Sequence, residues 1–109
     1  MTRRWLATMM LFLLSGPSGA AGDAGRGAAV VDQWCRLCHQ RADEARDPDM
    51  APPYEEIVRR KGRDEAYFRR FLHEDHFPMT IYRLFEDEKE DVVAYLLDLQ
   101  RREGAAGRD

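Results

Sequence analysis

Apolar residues recur along this chain at the three- and four-residue intervals of α-helices, and no segment alternates as a β-strand would. The pattern predicts an all-α domain of about four helices. The first helix is expected over residues 25–37, with Asp23 as its N-terminal cap. Its apolar side is predicted to consist of Ala28, Val31, Trp34 and Cys35.

Two further helices are expected in the middle of the chain. Residues 54–61 are predicted to form a short helix that Gly62 ends. Asp64 is expected to cap the next helix, which runs to about His73. The residues that this third helix should bury are Tyr67, Phe68, Phe71 and Leu72.

The last helix is predicted to begin at Glu86 or Asp87 and to end near Arg102. Its apolar residues at helical spacing are Val92, Tyr95, Leu96 and Leu99. Residues 104–109 have little to bury, and we expect them to form a disordered tail. Two loops that are long for so small a chain connect the helices, over residues 40–53 and 74–84.

The N-terminal segment has the features of an export signal. Arg3 and Arg4 precede an apolar run over 5–14, which is too short to span a bilayer and is followed by small residues. Residues 1–21 are therefore predicted to be a signal peptide, with an uncleaved membrane anchor as the alternative. One domain over residues 22–103 would remain.

Charge and size narrow the class of function. Loss of residues 1–21 would remove two arginines and no acidic residue, and would change the formal net charge from −3 to −5. Since no basic stripe remains, nucleic acid is not an expected partner, whereas a protein with a basic docking face is. A domain of this size has a marginal apolar core, so a covalent staple or a large cofactor is expected.

The motif that carries the chemistry is the sequence from Cys35 to His39, a C-x-x-C-H pattern. On one turn of chain, two thiols three positions apart can each reach a vinyl group of the same porphyrin. The next residue then places an imidazole under the iron. C-x-x-C also occurs in zinc sites and in thiol redox centres, so the motif alone leaves three uses open.

With the features around it, the motif resembles that of class I (monohaem) cytochromes c of the bacterial periplasmic type. Gly27 and Val31 precede the motif at the family's spacing, and Met79 lies in a proline-containing loop. Residues 51–54 resemble the turn beside the proximal histidine, and residues 90–96 resemble the family's last helix. The resemblance implies a cytochrome c fold wrapped around one covalent haem c, with the N- and C-terminal helices packed together.

The resemblance also implies roles for individual residues. Cys35 and Cys38 would attach the haem, and His39 would bind the iron while its other nitrogen contacts the carbonyl of Pro52. Met79 would be the sixth ligand, because Met50 adjoins the proximal turn and the remaining methionines precede residue 22. In many relatives a proline directly follows the ligand methionine, whereas here Pro78 precedes it and Thr80 follows. The residues expected to wall the distal face are Phe77, Ile81 and Tyr82.

Some positions keep alternatives. His76 is the rival to Met79, and would give a bis-histidine site; an open site is the third option. His73 is expected to contact helix-terminal carbonyls at the surface. The candidates for contacts with the haem propionates are Arg41, Arg46, Arg59, Arg60 and Arg63.

The function expected from these features is electron transfer in the periplasm by a protein that is not itself an enzyme. Its partners would be redox proteins or subunits of an oxidoreductase complex, without stable membrane insertion once the signal is removed. A c-type haem sensor is one alternative. A zinc module built from Cys35, Cys38, His73 and His76 is another. A thiol–disulfide oxidoreductase is the third, although its motif would follow a strand that this sequence does not predict.

Overall fold

A computed structural model describes residues 22–74, 79 and 84–106 of the chain. This part contains four α-helices and no β-strand, which confirms the all-α prediction and is compatible with a cytochrome c fold. The helices are α1 (Ala24–Trp34), α2 (Tyr54–Arg59), α3 (Glu65–His73) and α4 (Glu86–Ala106). A short 3₁₀ helix, Cys35–Leu37, continues directly from α1.

Two aspartates begin helices as predicted. The side chain of Asp23 accepts a hydrogen bond from the backbone N–H of Arg26 at 2.8 Å. Asp64 accepts one from the N–H of Tyr67, also at 2.8 Å. Each carboxylate satisfies a backbone donor that has no partner within the first helical turn.

The ends of the helices differ from the predicted ones. The predicted first helix is divided, because the chain tightens into the 3₁₀ helix after Trp34. Helix α2 ends two residues early, at Arg59, and Gly62 in the turn beyond it has a φ of 80°. Helix α4 continues to Ala106, so the prediction of a disordered tail is wrong for residues 104–106. Good helix formers such as Ala105 and Ala106 extend the helix there.

The core lies between α4 and the other three helices. Its members are Val31, Tyr54, Val58, Phe68, Leu72, Val92, Val93, Tyr95, Leu96 and Leu99. The burial predicted for α3 is confirmed for only two of four residues, because Phe71 is 38% exposed and Tyr67 is half-buried. The centroids of these two stacked rings are 5.6 Å apart. Each ring belongs to the residue just before a buried one, Phe68 or Leu72. Trp34, at the end of α1, is 41% exposed, so the buried side of that helix stops short of it.

Helix α1 packs closely on α4, as the resemblance implied. A Cβ atom at Gly27 would lie 1.9 Å from the carbonyl oxygen of Asp91, so only glycine permits this approach. Val31, one turn later, is 1% exposed. The carboxylate of Asp91 accepts a hydrogen bond from the N–H of Asp23 at 2.8 Å and forms an ion pair with Arg26 at 3.3 Å.

Polar contacts join the other two helices to α4. The side-chain amide of Gln100 donates to the carbonyls of Val58 at 2.9 Å and Arg63 at 2.6 Å. This fixes the connection between α2 and α3. Arg69 on α3 donates two hydrogen bonds to the Glu90 carboxylate, at 3.0 and 2.9 Å. Helix α4 is therefore the element against which the rest of the domain is placed.

Within the described ranges, no helix has both the length and the hydrophobicity required to cross a bilayer. The predicted signal peptide at 1–21 lies outside these ranges, as do residues 107–109 of the predicted tail.

The approach of α1 to α4 can be tested at Gly27. We expect Gly27→Ala to lower the free energy of unfolding by about 1–3 kcal/mol, because the new methyl group forces the two backbones apart. The measurement is urea unfolding followed by far-UV circular dichroism. Gly104→Ala, also on a helix but with no atom within 4 Å of its added Cβ, is the matched control and should not destabilise. An unchanged stability in Gly27→Ala would contradict this packing.

Candidate functional site

The C-x-x-C-H motif forms one tight turn at the end of α1, which we call the cysteine turn (residues 35–39). The carbonyl of Cys35 accepts hydrogen bonds from the N–H of Cys38 at 3.1 Å and of His39 at 2.9 Å. Both cysteines are free thiols, Cys35 half-buried and Cys38 exposed. The turn therefore brings two thiols and an imidazole together in one short segment.

The loop after the cysteine turn folds back onto it. The N–H of Ala51 donates to the carbonyl of Cys38 at 2.8 Å, and the N–H of Gln40 donates to the carbonyl of Ala51 at 3.2 Å. His39 and Ala51 thus form an isolated parallel β-bridge. Pro52 follows directly, and because its backbone nitrogen belongs to the ring it has no N–H that would need a partner. The bridge fixes the distance between His39 and the residues after Ala51.

The imidazole of His39 contacts the loop segment that the bridge brings beside it. Its Nδ1 lies 2.7 Å from the carbonyl oxygen of Pro52, so the hydrogen bond expected between these two residues is present. Because a carbonyl can only accept, Nδ1 carries the proton and donates, and the neutral ring has its lone pair on Nε2. This is the tautomer that a metal-binding histidine requires. Whether His39 binds iron stays a prediction.

Gln40 is a site residue that the sequence analysis missed. It is 4% exposed, although it lies at the start of the predicted loop over residues 40–53. Its side chain donates to the carbonyl of Ala45 at 3.2 Å and accepts from the N–H of Asp47 at 3.0 Å. Its own carbonyl accepts from Arg36 at 3.0 Å. Gln40 thereby holds the loop against the cysteine turn.

Tyr54 is the second residue that was missed, although it belongs to the 51–54 segment of the resemblance. It is 6% exposed, and its ring centroid lies 4.5 Å from that of His39, with the planes tilted by 30°. Its side chain is also hydrogen bonded with Cys35. Burial raises the pKa of the Tyr54 hydroxyl well above its usual range, and the nearby Cys35 raises it further. The phenol is therefore neutral.

The environment of Cys35 has two opposing effects on the thiol. Burial raises its pKa above the ordinary value of 9.0, and the hydrogen bond with Tyr54 lowers it in part. A raised pKa favours the thiol over the nucleophilic thiolate at neutral pH. This differs from the activated cysteine of a thiol–disulfide oxidoreductase.

The methionines are placed differently. Met79 is half-buried and packs against the same core as Cys35 does. Met50 lies immediately before Ala51, on the loop paired with the cysteine turn. The predicted distal residues Phe77, Ile81 and Tyr82, and the alternative ligand His76, lie outside the described residues.

His73 does not join the cysteines. Its Nδ1 lies 2.6 Å from the carbonyl oxygen of Arg69, and its Nε2 lies 2.7 Å from a carboxylate oxygen of Glu86. The first contact confirms the prediction of a helix-terminal carbonyl partner. In the part of the chain that the structure describes, no three His, Cys, Asp or Glu side chains are grouped to hold a metal ion. The partners of His73 are therefore Arg69 and Glu86, and not the two cysteines that the zinc alternative requires.

The five arginines considered for the propionates fall into two groups. Four form ion pairs, which are Arg41–Asp32, Arg46–Glu56, Arg59–Glu103 and Arg60–Glu56. Arg63 has no carboxylate partner among the described residues, and its guanidinium lies 4.1 Å from the centroid of the Tyr67 ring. Its Nε is buried without a hydrogen-bond partner in that same part of the chain.

Comparison with known proteins gave one informative similarity. The chain is 29% identical over 98 residues to a protein named cytochrome c-552 from Bradyrhizobium diazoefficiens. The aligned region covers 89% of this chain and 94% of that relative. No family model and no solved structure matches the chain.

The contacts of His73 predict a pH-dependent contribution to stability. The Arg69 carbonyl and then Glu86 raise the pKa of His73 above its ordinary 6.5, while His73 and then Lys89 lower that of Glu86 below 4.5. The histidine contribution is complete below pH 6.5 and is lost as the pH rises through the folded pKa. The Glu86 contribution is complete above pH 4.5 and is lost as the pH falls.

We therefore expect His73→Gln to destabilise the protein most between pH 4.5 and 6.5 and progressively less above. Urea unfolding of both proteins over a pH series measures this difference. In a Glu86→Gln background the pH dependence should shrink, because one of the two acceptors loses its charge. A difference that stays constant between pH 5 and 9 would contradict the assignment.

Proposed function

We propose that this chain is a c-type cytochrome that carries one covalently attached haem c and transfers electrons without acting as an enzyme. The observation that carries the proposal is the cysteine turn, in which two free thiols precede a histidine whose Nδ1 is held by the carbonyl of Pro52. The similarity to cytochrome c-552 over nearly the whole of both chains supports the same function.

The residues present fit a haem. Cys35 and Cys38 supply the two sulfurs for thioether bonds, and the tautomer of His39 presents the lone pair of Nε2 to a metal. Trp34 and Leu37, on either side of Cys35 in the sequence, are 41% and 74% exposed. Apolar side chains at the turn are thus left partly exposed by the protein, and an apolar planar group such as a haem could cover them.

The bound haem would supply a one-electron couple between ferrous and ferric iron. The chain's own residues would hold it in place: the two cysteines would fix it to the turn, and His39 would supply a nitrogen ligand. The hydrogen bond from His39 to Pro52 sets the ring orientation and increases the basicity of the ligand nitrogen. These contacts would keep the ligation unchanged between the two oxidation states.

For the sixth ligand we propose Met79, with His76 as the rival. The support is that Met79 packs against the same apolar core as Cys35, whereas Met50 belongs to the loop paired with the His39 segment. A thioether ligand favours ferrous iron and raises the reduction potential relative to a second imidazole. This ligation suits a carrier better than a ligand-binding sensor, because it leaves no open position on the iron.

The cellular setting is also a proposal. Residues 1–21 have the pattern of an export signal, and export to the periplasm would bring the chain to a compartment where two free thiols can be used for haem attachment. A formal net charge of −3, or −5 after cleavage, favours redox partners with basic docking surfaces over nucleic acid.

The first experiment tests haem attachment. The full chain is expressed in bacteria together with a cytochrome c maturation system, and the product is extracted with acid–acetone. The protein should retain the mass of one haem, and Cys35→Ser/Cys38→Ser should lose it, because the thioether sulfurs are gone. Wild-type protein with only its apo mass, or with stoichiometric zinc instead, would contradict the proposed function.

The second experiment tests the sixth ligand in the ferric holoprotein. A methionine ligand gives a charge-transfer band in the red region of the absorption spectrum. Met79→Ala should lose this band, whereas His76→Ala should keep it. Met50→Ala is the matched methionine control and should also keep it. Absence of the band in the wild type would favour the bis-histidine alternative, and its loss in Met50→Ala with retention in Met79→Ala would assign the ligand to Met50.

A further inference from the structure

Tyr54 contacts two groups of the site at once, and the proposed function leaves this residue without a role. Its ring lies against the imidazole of His39, 4.5 Å between centroids, and its side chain is hydrogen bonded with Cys35. On its other side, Tyr95 packs edge-on at 6.4 Å. The guanidinium of Arg36 lies 5.4 Å from the centroid of the Tyr54 ring. The side chain is therefore held on several sides.

We propose that Tyr54 is a positioning residue of the haem site: its ring fixes the plane of the His39 imidazole, and its hydroxyl donates a hydrogen bond to the Cys35 sulfur that favours the ferrous state. The inference rests on the proposed function, because it concerns the protein with its haem attached. It is specific to this chain's own contacts, and it separates the roles of the ring and the hydroxyl.

The direction of the hydrogen bond follows from chemistry. Once Cys35 is a thioether, its sulfur has no proton and can only accept, so the Tyr54 hydroxyl must donate. The residue is only 6% exposed, and a buried hydroxyl without a partner would be costly. A phenylalanine would fill the same space without a hydroxyl to satisfy. The polar group thus has an electrostatic consequence at the haem that the ring alone lacks.

That consequence concerns the reduction equilibrium. With the haem attached, the hydrogen end of the phenol dipole would point at a sulfur that is bonded to the porphyrin. A positive dipole end favours the form with one more electron, and the effect is stronger in a buried site of low dielectric than in water. The hydroxyl should therefore favour the reduced protein, and its removal should favour the oxidised protein.

The ring has a separate effect. The hydrogen bond from Nδ1 to Pro52 fixes one atom of the imidazole but still permits rotation about that contact. The tilted face of Tyr54, 30° from the imidazole plane, restricts this rotation. Tyr54 and Pro52 lie in the same short segment after the β-bridge, so both restraints on His39 come from one piece of backbone.

The test compares Tyr54→Phe with Tyr95→Phe in the holoprotein. Tyr95 is a neighbouring buried tyrosine, so the same atom is removed from the same core in the control. In a fixed redox buffer, Tyr54→Phe should lower the ratio of reduced to oxidised protein by about threefold, which is the size expected for one net hydrogen bond. Tyr95→Phe should leave the ratio unchanged.

Tyr54→Leu tests the ring. Its ferric NMR spectrum should show altered hyperfine shifts of the haem methyl groups, because the His39 plane is released, whereas Tyr54→Phe should keep the wild-type pattern. Equal ratios of reduced to oxidised protein in Tyr54→Phe and wild type, with haem attached to both, would overturn the role of the hydroxyl alone. Unchanged methyl shifts in Tyr54→Leu would overturn the role of the ring.

A measurement on the unmodified protein does not depend on how any variant folds. In the reduced, diamagnetic holoprotein, the hydroxyl proton of Tyr54 should exchange slowly with water and be visible by NMR. Exchange at the rate of a solvent-exposed phenol would overturn the hydrogen bond. Absence of attached haem in the wild type would instead overturn the proposed function, so the two failures are distinguishable.

Discussion

The backbone pairing of the cysteine turn with Ala51 is the contact on which the candidate site depends. His39 lies on a turn that is fixed by the Cys35 carbonyl, whereas Pro52 and Tyr54 lie beyond a long charged loop. The two hydrogen bonds around Ala51 bring these segments into register. The contact between His39 and Pro52 then needs no independent restraint, since the bridge already places the carbonyl beside the ring.

The same pairing links the site to the rest of the domain. Helix α2 begins at Tyr54, directly after the paired segment, and its buried residues Tyr54 and Val58 face the core that α4 completes. Gln100 on α4 fixes the C-terminal end of α2, because its side-chain amide donates a hydrogen bond to the carbonyl of Val58. The position of the proximal segment is thus set from both sides, by the cysteine turn on α1 and by α4.

The sequence predicted the features that depend on local chemistry. The caps at Asp23 and Asp64 use a carboxylate and a backbone N–H only three residues apart, so their pattern is readable from the chain alone. The role of Gly27 could be predicted for a different reason, because the resemblance implied that the C-terminal helix packs against it. Nothing local distinguishes Trp34 or Phe71 from buried neighbours, and their exposure depends on which residues the other helices bring near.

The two site residues that were missed, Gln40 and Tyr54, also owe their contacts to residues that are not their neighbours in the sequence. Gln40 holds a loop whose path is set by a carbonyl and an N–H several residues later, and a single glutamine gives no sign of that path. Tyr54 was predicted only as the end of the turn beside the proximal histidine and the start of a helix. Its contact with Cys35 could not be inferred, because Cys35 lies far away in the sequence and meets it only through the β-bridge.

Stability and function meet at the cysteine turn. A domain of this size buries few large side chains, and here Leu37, between the two cysteines, is 74% exposed. Covalent attachment of an apolar group at Cys35 and Cys38 would cover surface of this kind and would cross-link the turn that already anchors the loop through Ala51. The group proposed to transfer electrons would then also complete the core, so the contacts that fix His39 would stabilise the fold as well.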